Sequence, residues 1–128
     1  MSLMKTKPAL REVVLVDDDK AVRESLKFAL EVEGLKVHAC DSAASALAYS
    51  GLRRAACLVV DYKMQHMDGF DLCRAITAGG SCPPVIMITA PLTDELRRKA
   101  GSVGFFSILE KPLLNNVLER DVQAAIGA

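Results

Sequence analysis

Three acidic side chains in this sequence stand directly after short apolar runs. Asp17 and Asp18 follow the apolar residues 13–16, and Asp61 ends the apolar residues 58–60. A continuous run of this kind is typical of a strand that is covered on both faces in a parallel sheet. Ligands of open α/β sheets collect at the carboxyl ends of the strands. The pattern therefore predicts that these carboxylates lie together at one edge of a sheet.

Two further polar side chains occupy equivalent places later in the chain. Thr89 follows the apolar residues 85–88, and Lys111 follows the run 105–109. If both runs are strands of the same parallel sheet, Thr89 and Lys111 lie at the same edge as the carboxylates. Each of the five residues is weak evidence alone, but together they predict one site.

Such a group of side chains has a definite chemistry. Crowded carboxylates raise one another's pKa unless a cation intervenes, so a hard divalent cation is implied. Oxygen ligands without His or Cys favour Mg²⁺, or Mn²⁺, over zinc. A carboxylate beside such an ion can act as a nucleophile toward a phosphoryl group, as Asp61 would here. Lys111 would neutralise phosphoryl oxygens, and the Thr89 hydroxyl could donate to one of them.

Alternating strands and helices must position these residues. Apolar patterning predicts strands over 13–16, 35–39, 58–61, 85–88 and 105–109. Between and after them it predicts helices over about 20–33, 43–50, 70–79, 94–101 and 114–126. Asp41-Ser42 and Thr93-Asp94 are expected to supply N-caps, and Gly34 a left-handed C-cap. Five such repeats imply a doubly wound α/β fold with a five-stranded parallel sheet and helices on both faces.

Composition limits the function classes. The 128 residues suit one domain, predicted over 10–128, after a tail over 1–9 that is expected to include part of a cloning remnant. Lys+Arg and Asp+Glu number 16 each, which disfavours direct binding to nucleic acid or to an anionic membrane. No membrane span or signal peptide is recognised, so a cytoplasmic location is expected. The cysteines show no metal-binding or disulfide spacing and are expected to be buried or idle thiols: Cys40, Cys57, Cys73 and Cys82.

Four motifs in order resemble a known family. They are Val-Leu-Val-Asp-Asp-Asp at 14–19, Leu-Val-Val-Asp at 58–61 with Met-Asp-Gly at 67–69, Ile-Thr-Ala at 88–90, and Lys-Pro at 111–112. Together they closely resemble the receiver domain of two-component response regulators, over nearly the whole chain. The resemblance implies a flavodoxin-like sheet with the strand order 2-1-3-4-5.

The resemblance also implies a role for each site residue. Asp61 would accept a phosphoryl group from a histidine kinase or a phosphotransfer protein, and the chain would not be an enzyme. Asp18 would bind Mg²⁺ directly and Asp17 partly through water, while the backbone carbonyl of Lys63 would be a third ligand. Lys111 would pair with the phosphoryl group, and its peptide bond to Pro112 is expected to be cis.

One residue departs from the family pattern. Receivers usually carry Tyr or Phe three residues before the lysine, where this chain has Ile108. Period-two alternation places Phe106, not Phe105, on the same strand face as Ile108. We therefore expect phosphorylation to move Thr89 and to repack the surface of helix four, strand five and helix five with reduced amplitude.

The similarity is greatest to receivers of the FixJ-like type, which usually precede a LuxR-type helix-turn-helix domain. The chain is then either a stand-alone receiver or the receiver part of a transcription regulator. The surface of helix four, strand five and helix five would control an output domain or partner, and a homodimer would form there.

Two alternatives stay open. Asp17 and Asp19 also satisfy the Asp-x-Asp pattern of haloacid-dehalogenase phosphatases, although Lys20-Ala21 follows where that class has Gly-Thr. The second alternative is a receiver-like interaction module that is never phosphorylated. The residue that carries a phosphoryl group, Asp61 or Asp17, distinguishes the first alternative from the receiver interpretation.

Overall fold

Five parallel strands form the centre of the protein. In the computed structural model, which describes residues 11–127, they are β1 (Glu12–Val16), β2 (Lys36–Cys40), β3 (Cys57–Asp61), β4 (Val85–Thr89) and β5 (Ser107–Glu110). Their order in the sheet is β2-β1-β3-β4-β5, and every neighbouring pair is parallel. The predicted fold class and strand order are confirmed.

Five α-helices connect and cover the strands. They are α1 (Lys20–Val32), α2 (Ala43–Ala48), α3 (Gly69–Ala78), α4 (Asp94–Ser102) and α5 (Val117–Gly127). A short 3-10 helix, Leu52–Arg54, precedes β3. Within the described residues, no helix is long and apolar enough to cross a membrane. The predicted tail over 1–9 lies outside the described residues.

Buried strand residues separate into two clusters because their side chains alternate between the faces of the sheet. Val14, Val60 and Met87 belong to the cluster that includes residues of α2, α3 and α4. Leu15, Val59, Ile86 and Ile88 belong to the cluster that includes residues of α1 and α5. The strands β1, β3 and β4 are therefore covered on both sides, as their continuous apolar sequence predicted.

Side-chain caps fix where the helices begin. Ser42 accepts a hydrogen bond from the N–H of the third residue of α2, and Thr93 accepts one from the N–H of the third residue of α4, so each predicted pair contains the cap. Asp19 caps α1 in the same way, accepting from Val22 N–H at 3.1 Å. Gly34, just past α1, has φ +86°, the left-handed conformation expected of it.

Two predicted boundaries were wrong. The strand β5 begins at Ser107 rather than at residue 105, because the Phe105 N–H donates to the Ala100 carbonyl of α4 and so completes the exit from that helix. The helix α5 begins at Val117 rather than at residue 114, because Asn115 and Asn116 have φ of 58° and 59° and cannot continue a right-handed helix.

We predict that Gly34→Ala lowers the free energy of unfolding by about 1 kcal/mol, since an L side chain is disfavoured in the left-handed conformation. Nothing lies within 4 Å of the added Cβ, so the backbone alone determines the effect. The measurement is urea unfolding followed by circular dichroism.

The matched control is Gly101→Ala. This glycine lies within α4 and its added Cβ also meets nothing within 4 Å. In a right-handed helix the same substitution should stabilise by roughly 0.5–1 kcal/mol. Equal effects at the two positions would show that the conformation of Gly34 is not what stabilises this turn.

Candidate functional site

The predicted site residues meet at the carboxyl edge of the sheet. Asp61 ends β3 and Thr89 ends β4, while Asp17 follows β1 directly and Lys111 follows β5 directly. Because all the strands are parallel, each of these strand ends lies on the same edge. The structure therefore brings together the acidic residues and the lysine that the sequence places far apart.

Asp17 is the most buried carboxylate of the site. It is 1% exposed, and its Oδ1 accepts a hydrogen bond from the Asp19 N–H at 2.9 Å. Its Oδ2 is also buried but has no hydrogen-bond partner among residues 11–127, and the Lys111 Nζ lies 3.9 Å from it. A buried carboxylate oxygen without a partner is costly, so this atom is suited to a ligand that supplies positive charge.

Asp61 and Lys111 form the direct ion pair of the site. The Lys111 Nζ lies 3.2 Å from the Asp61 Oδ1, and the Asp61 side chain is 9% exposed. The backbone holds the lysine in place, because the Lys111 N–H donates to the Thr89 carbonyl at 2.8 Å. The peptide bond between Lys111 and Pro112 is cis, as expected.

Burial raises the pKa of both inner carboxyl groups. Desolvation is the largest cause for Asp17, and the neighbouring charges of Asp61 and Asp18 add to it. Desolvation likewise raises the pKa of Asp61, although the charge of Lys111 acts in the opposite direction. One lysine therefore does not fully compensate the carboxylates around it.

Asp18 completes a cluster of three carboxylates. One oxygen each of Asp17, Asp18 and Asp61 lies within 4.8 Å of the other two. Asp18 is exposed, and its Oδ2 accepts a hydrogen bond from the Gln65 N–H at 3.2 Å. Lys63 lies in the loop between β3 and α3 and is exposed; the role of its carbonyl as a ligand stays a prediction.

A close backbone approach positions this loop. A Cβ on Gly69, the first residue of α3, would lie 2.6 Å from the Met87 Cε and 3.0 Å from the Asp61 carbonyl oxygen. Asp68 caps the helix in a reciprocal capping box with Asp71. The sequence indicated only a turn at Asp68-Gly69, whereas the structure shows that glycine lets α3 start against the end of β3.

Thr89 lies at the base of a neighbouring opening. Thr89 is 3% exposed and lines a cavity of about 430 Å³ together with residues of the loop after β3, such as Lys63 and Met64, and residues 90, 91, 93, 95 and 96. The opening lies between the loop after β3 and the loop after β4. A movement of Thr89 would therefore first displace the loop that leads into α4.

The prediction about the aromatic residues near Ile108 was wrong. Phe105, not Phe106, packs against the cluster that includes Ile108, and its ring stacks on Phe70 with centroids 5.2 Å apart. Phe106 is 40% exposed. Period-two alternation failed because β5 begins only at Ser107, so it does not extend back to these residues.

Two polar contacts of the site were missed from the sequence. The Arg23 Nη1 of α1 donates to the Asp17 carbonyl at 2.8 Å, which anchors the backbone of the acidic segment. A Glu110 carboxylate oxygen accepts a hydrogen bond from the Leu92 N–H at 3.0 Å, which ties the loop after β4 to β5. Only the folded arrangement shows these contacts.

Comparison with known proteins gives a consistent family assignment. The family described as "Response regulator receiver domain" matches residues 13–123. The "Transcriptional regulatory protein FixJ" of Azorhizobium caulinodans is 35% identical over 120 residues, which are 94% of this chain and 57% of that protein. The "Response regulator MprA" of Mycobacterium leprae is 33% identical over 109 residues, which are 84% of this chain and 48% of that protein. The chain thus spans about half the length of these relatives.

Solved structures agree with the sequence comparisons. The structure described as FixJ-N superposes with a TM-score of 0.81 at 29% identity and covers 94% of this chain and 96% of its own. A receiver domain from Clostridium thermocellum superposes with a TM-score of 0.83 at 24% identity, covering 92% and 95%, and supports the fold alone. The family match, the fold and the three carboxylates clustered at the edge of the sheet agree. This chain belongs to the response regulator receiver domain family of two-component systems.

Proposed function

We propose that this chain accepts a phosphoryl group on Asp61 from a histidine kinase or a phosphotransfer protein, in a Mg²⁺-dependent reaction. One observation carries the proposal. Asp61 is nearly buried, pairs with Lys111 at 3.2 Å and shares a cluster with Asp17, whose Oδ2 is buried without a hydrogen-bond partner. Such a group of charges is costly unless it binds a cation.

The residues present fit a divalent cation. Three carboxylate oxygens within 4.8 Å of one another offer only hard ligands, which suits Mg²⁺, or Mn²⁺ in its place. Asp17, Asp18 and Asp61 would hold the ion, together with the carbonyl of Lys63. When bound, the ion supplies positive charge that offsets the repulsion among carboxylate and phosphoryl oxygens.

The side chains of the chain itself then have distinct tasks. A carboxylate oxygen of Asp61 attacks the phosphorus of the donor, the new O–P bond forms and the bond from phosphorus to the donor's nitrogen breaks. The Lys111 ammonium, already 3.2 Å from Asp61, pairs with the incoming phosphoryl oxygens. The Thr89 hydroxyl donates to one of those oxygens. On this proposal the chain is a phosphoacceptor rather than an enzyme.

The readout would follow from movement of Thr89. Thr89 pairs with Glu110 across β4 and β5, and Glu110 accepts a hydrogen bond from the loop before α4. A shift of Thr89 would therefore reach the surface formed by α4, β5 and α5, which we propose as the site of control over an output domain and of a homodimer. Ile108 in place of an aromatic residue would reduce the amplitude of the change.

The relatives suggest what this receiver controls. The relatives are about twice as long as this chain, and one is named a transcriptional regulatory protein. We propose that this domain controls a DNA-binding output domain in the same way and makes no direct contact with nucleic acid. A cytoplasmic location stays a prediction.

The phosphatase alternative has less support. It would use Asp17 as nucleophile and Asp19 as general acid, but the Asp19 side chain accepts a hydrogen bond from the Val22 N–H as the cap of α1. Asp19 is also not among the three clustered carboxylates. The phosphatase alternative would also leave the Asp61–Lys111 ion pair without a role.

We predict that the wild-type chain gains one phosphoryl group on incubation with acetyl phosphate and Mg²⁺, and that Asp61→Asn gains none. Asparagine keeps the size of the side chain but lacks the nucleophilic oxygen. Intact-mass spectrometry measures the adduct, with a chelator added in a parallel sample.

The control for this experiment is Asp19→Asn, which keeps a good N-cap and should be phosphorylated as the wild type is. An adduct that persists in Asp61→Asn and disappears in Asp17→Asn would favour the phosphatase. A wild type that stays unmodified would favour an interaction module without phosphoryl chemistry.

We predict that Asp17→Asn raises the free energy of unfolding in the absence of divalent cations, on the order of 1–2 kcal/mol at neutral pH. Burial raises the pKa of Asp17 in the folded chain above its ordinary value of 3.8. The folded state therefore binds more protons than the unfolded state between the two pKa values, and stability of the wild type falls as pH rises through that window.

The gain of Asp17→Asn should accordingly be largest at neutral pH and shrink as pH falls toward 3.8. Urea unfolding in a chelator over a series of pH values measures it. Asp19→Asn, the same substitution at an exposed position, is the control. A destabilised Asp17→Asn at neutral pH would mean that Lys111 already compensates this carboxylate.

A further inference from the structure

Two cysteines meet on the side of the protein away from the acidic cluster. Cys73 lies in α3, and Cys82 lies in the segment that leads into β4. Both line one cavity of about 390 Å³, together with Thr77 and residues 103–106. Cys82 precedes the amino end of β4, whereas Thr89 of the acidic edge is at its carboxyl end. This pair therefore belongs to a separate part of the surface.

The two cysteines pack into one apolar cluster but differ in exposure. Cys73 is buried, at 5% exposed, while Cys82 is only partly buried. A reagent from solvent can thus reach Cys82 first, with Cys73 directly behind it.

A positive charge is fixed beside Cys82. The Arg53 Nη2 donates to the Ile76 carbonyl at the end of α3, at 2.8 Å. A Cβ on Gly79 would lie 2.3 Å from this nitrogen, and a Cβ on Gly80 would lie 3.1 Å from the Arg53 Nε. The two glycines therefore leave the space in which the guanidinium rests. The guanidinium therefore packs against the turn that precedes Cys82.

These neighbours give the two thiols different reactivity. The neighbouring Cys73 thiol is the largest cause that lowers the pKa of Cys82, and the Thr77 hydroxyl and the Arg53 charge act in the same direction. The neighbouring Cys82, followed by burial, raises the pKa of Cys73. Because the thiolate is the nucleophilic form, Cys82 is the one that attacks.

We propose that Cys82 is a peroxide-reactive thiol and Cys73 its resolving partner, so that oxidation closes an intramolecular disulfide between α3 and the segment leading into β4. This proposal is independent of phosphoryl transfer at Asp61. The sequence predicted that all four cysteines are buried or idle thiols. The proposal gives a reaction to Cys73 and Cys82 and leaves Cys40 and Cys57 as unreactive thiols.

The reaction is balanced with hydrogen peroxide as the oxidant. The Cys82 thiolate attacks one peroxide oxygen, the O–O bond breaks, and the departing hydroxide takes up a proton to leave as water. The Cys73 sulfur then attacks the sulfur of the resulting sulfenic acid, the S–O bond breaks, and a second water carries away the Cys73 proton. Two thiols thus give two electrons to one peroxide.

The other two cysteines provide an internal comparison. Cys40 and Cys57 are buried. Burial raises the pKa of Cys40, and it raises the pKa of Cys57 to about 12. Neither thiol lines the cavity that Cys73 and Cys82 share. Both should therefore stay reduced under conditions that oxidise Cys82.

The experiment treats the full, reduced chain with hydrogen peroxide at neutral pH, then unfolds it in denaturant so that iodoacetamide blocks every remaining thiol, and maps peptides without reduction. The expected product is a monomer that has lost two hydrogen atoms, with Cys73 linked to Cys82 and with Cys40 and Cys57 alkylated. Cys73→Ser should instead stop at a dimedone-reactive sulfenic acid on Cys82, and Cys82→Ser should form no disulfide.

The matched control is Cys40→Ser, which should form the same disulfide as the wild type. Peptide mapping of the wild type keeps the test valid even where a variant is poorly folded. The proposal is overturned if the wild type keeps four alkylated thiols, accumulates sulfenic acid on Cys82 without a disulfide, or forms disulfides only between chains.

Discussion

The crowding of three carboxylates against one lysine is the constraint on which the rest of this structure depends. Asp17 and Asp61 are nearly buried, and Lys111 lies 3.9 Å from one and 3.2 Å from the other. Desolvation raises the pKa of both carboxyl groups even though the lysine is present. The folded chain therefore holds an uncompensated negative charge. A bound divalent cation would offset this charge.

The fold maintains this crowding through the backbone. Parallel register brings the ends of β1, β3, β4 and β5 to one edge, and apolar clusters on both faces of the sheet keep those strands in place. Hydrogen bonds then fix the individual residues: Arg23 to the Asp17 carbonyl, and the Lys111 N–H to the Thr89 carbonyl. Gly69 allows α3 to begin against the end of β3. Relaxation that would separate the carboxylates would break these contacts.

Most of the sheet and the members of the site could be predicted from the sequence, because the relevant signals are local. An apolar run that ends in Asp61, or a Thr93 before a helix, is visible without any tertiary information. The start of β5 could not be predicted, since it depends on a hydrogen bond from Phe105 back to α4. The start of α5 could not be predicted either, because it depends on the left-handed conformations of Asn115 and Asn116. The contact between Cys73 and Cys82 requires the packing of α3 beside the segment before β4.

The most direct test of the uncompensated charge is a calorimetric titration of the chelator-treated chain with Mg²⁺. The account predicts saturable binding of one ion per chain, weakened strongly in Asp17→Asn and in Asp18→Asn but unchanged in Asp19→Asn. Binding that is absent from the wild type, or that is equally strong in Asp17→Asn, would contradict the claim that these carboxylates form a cation site.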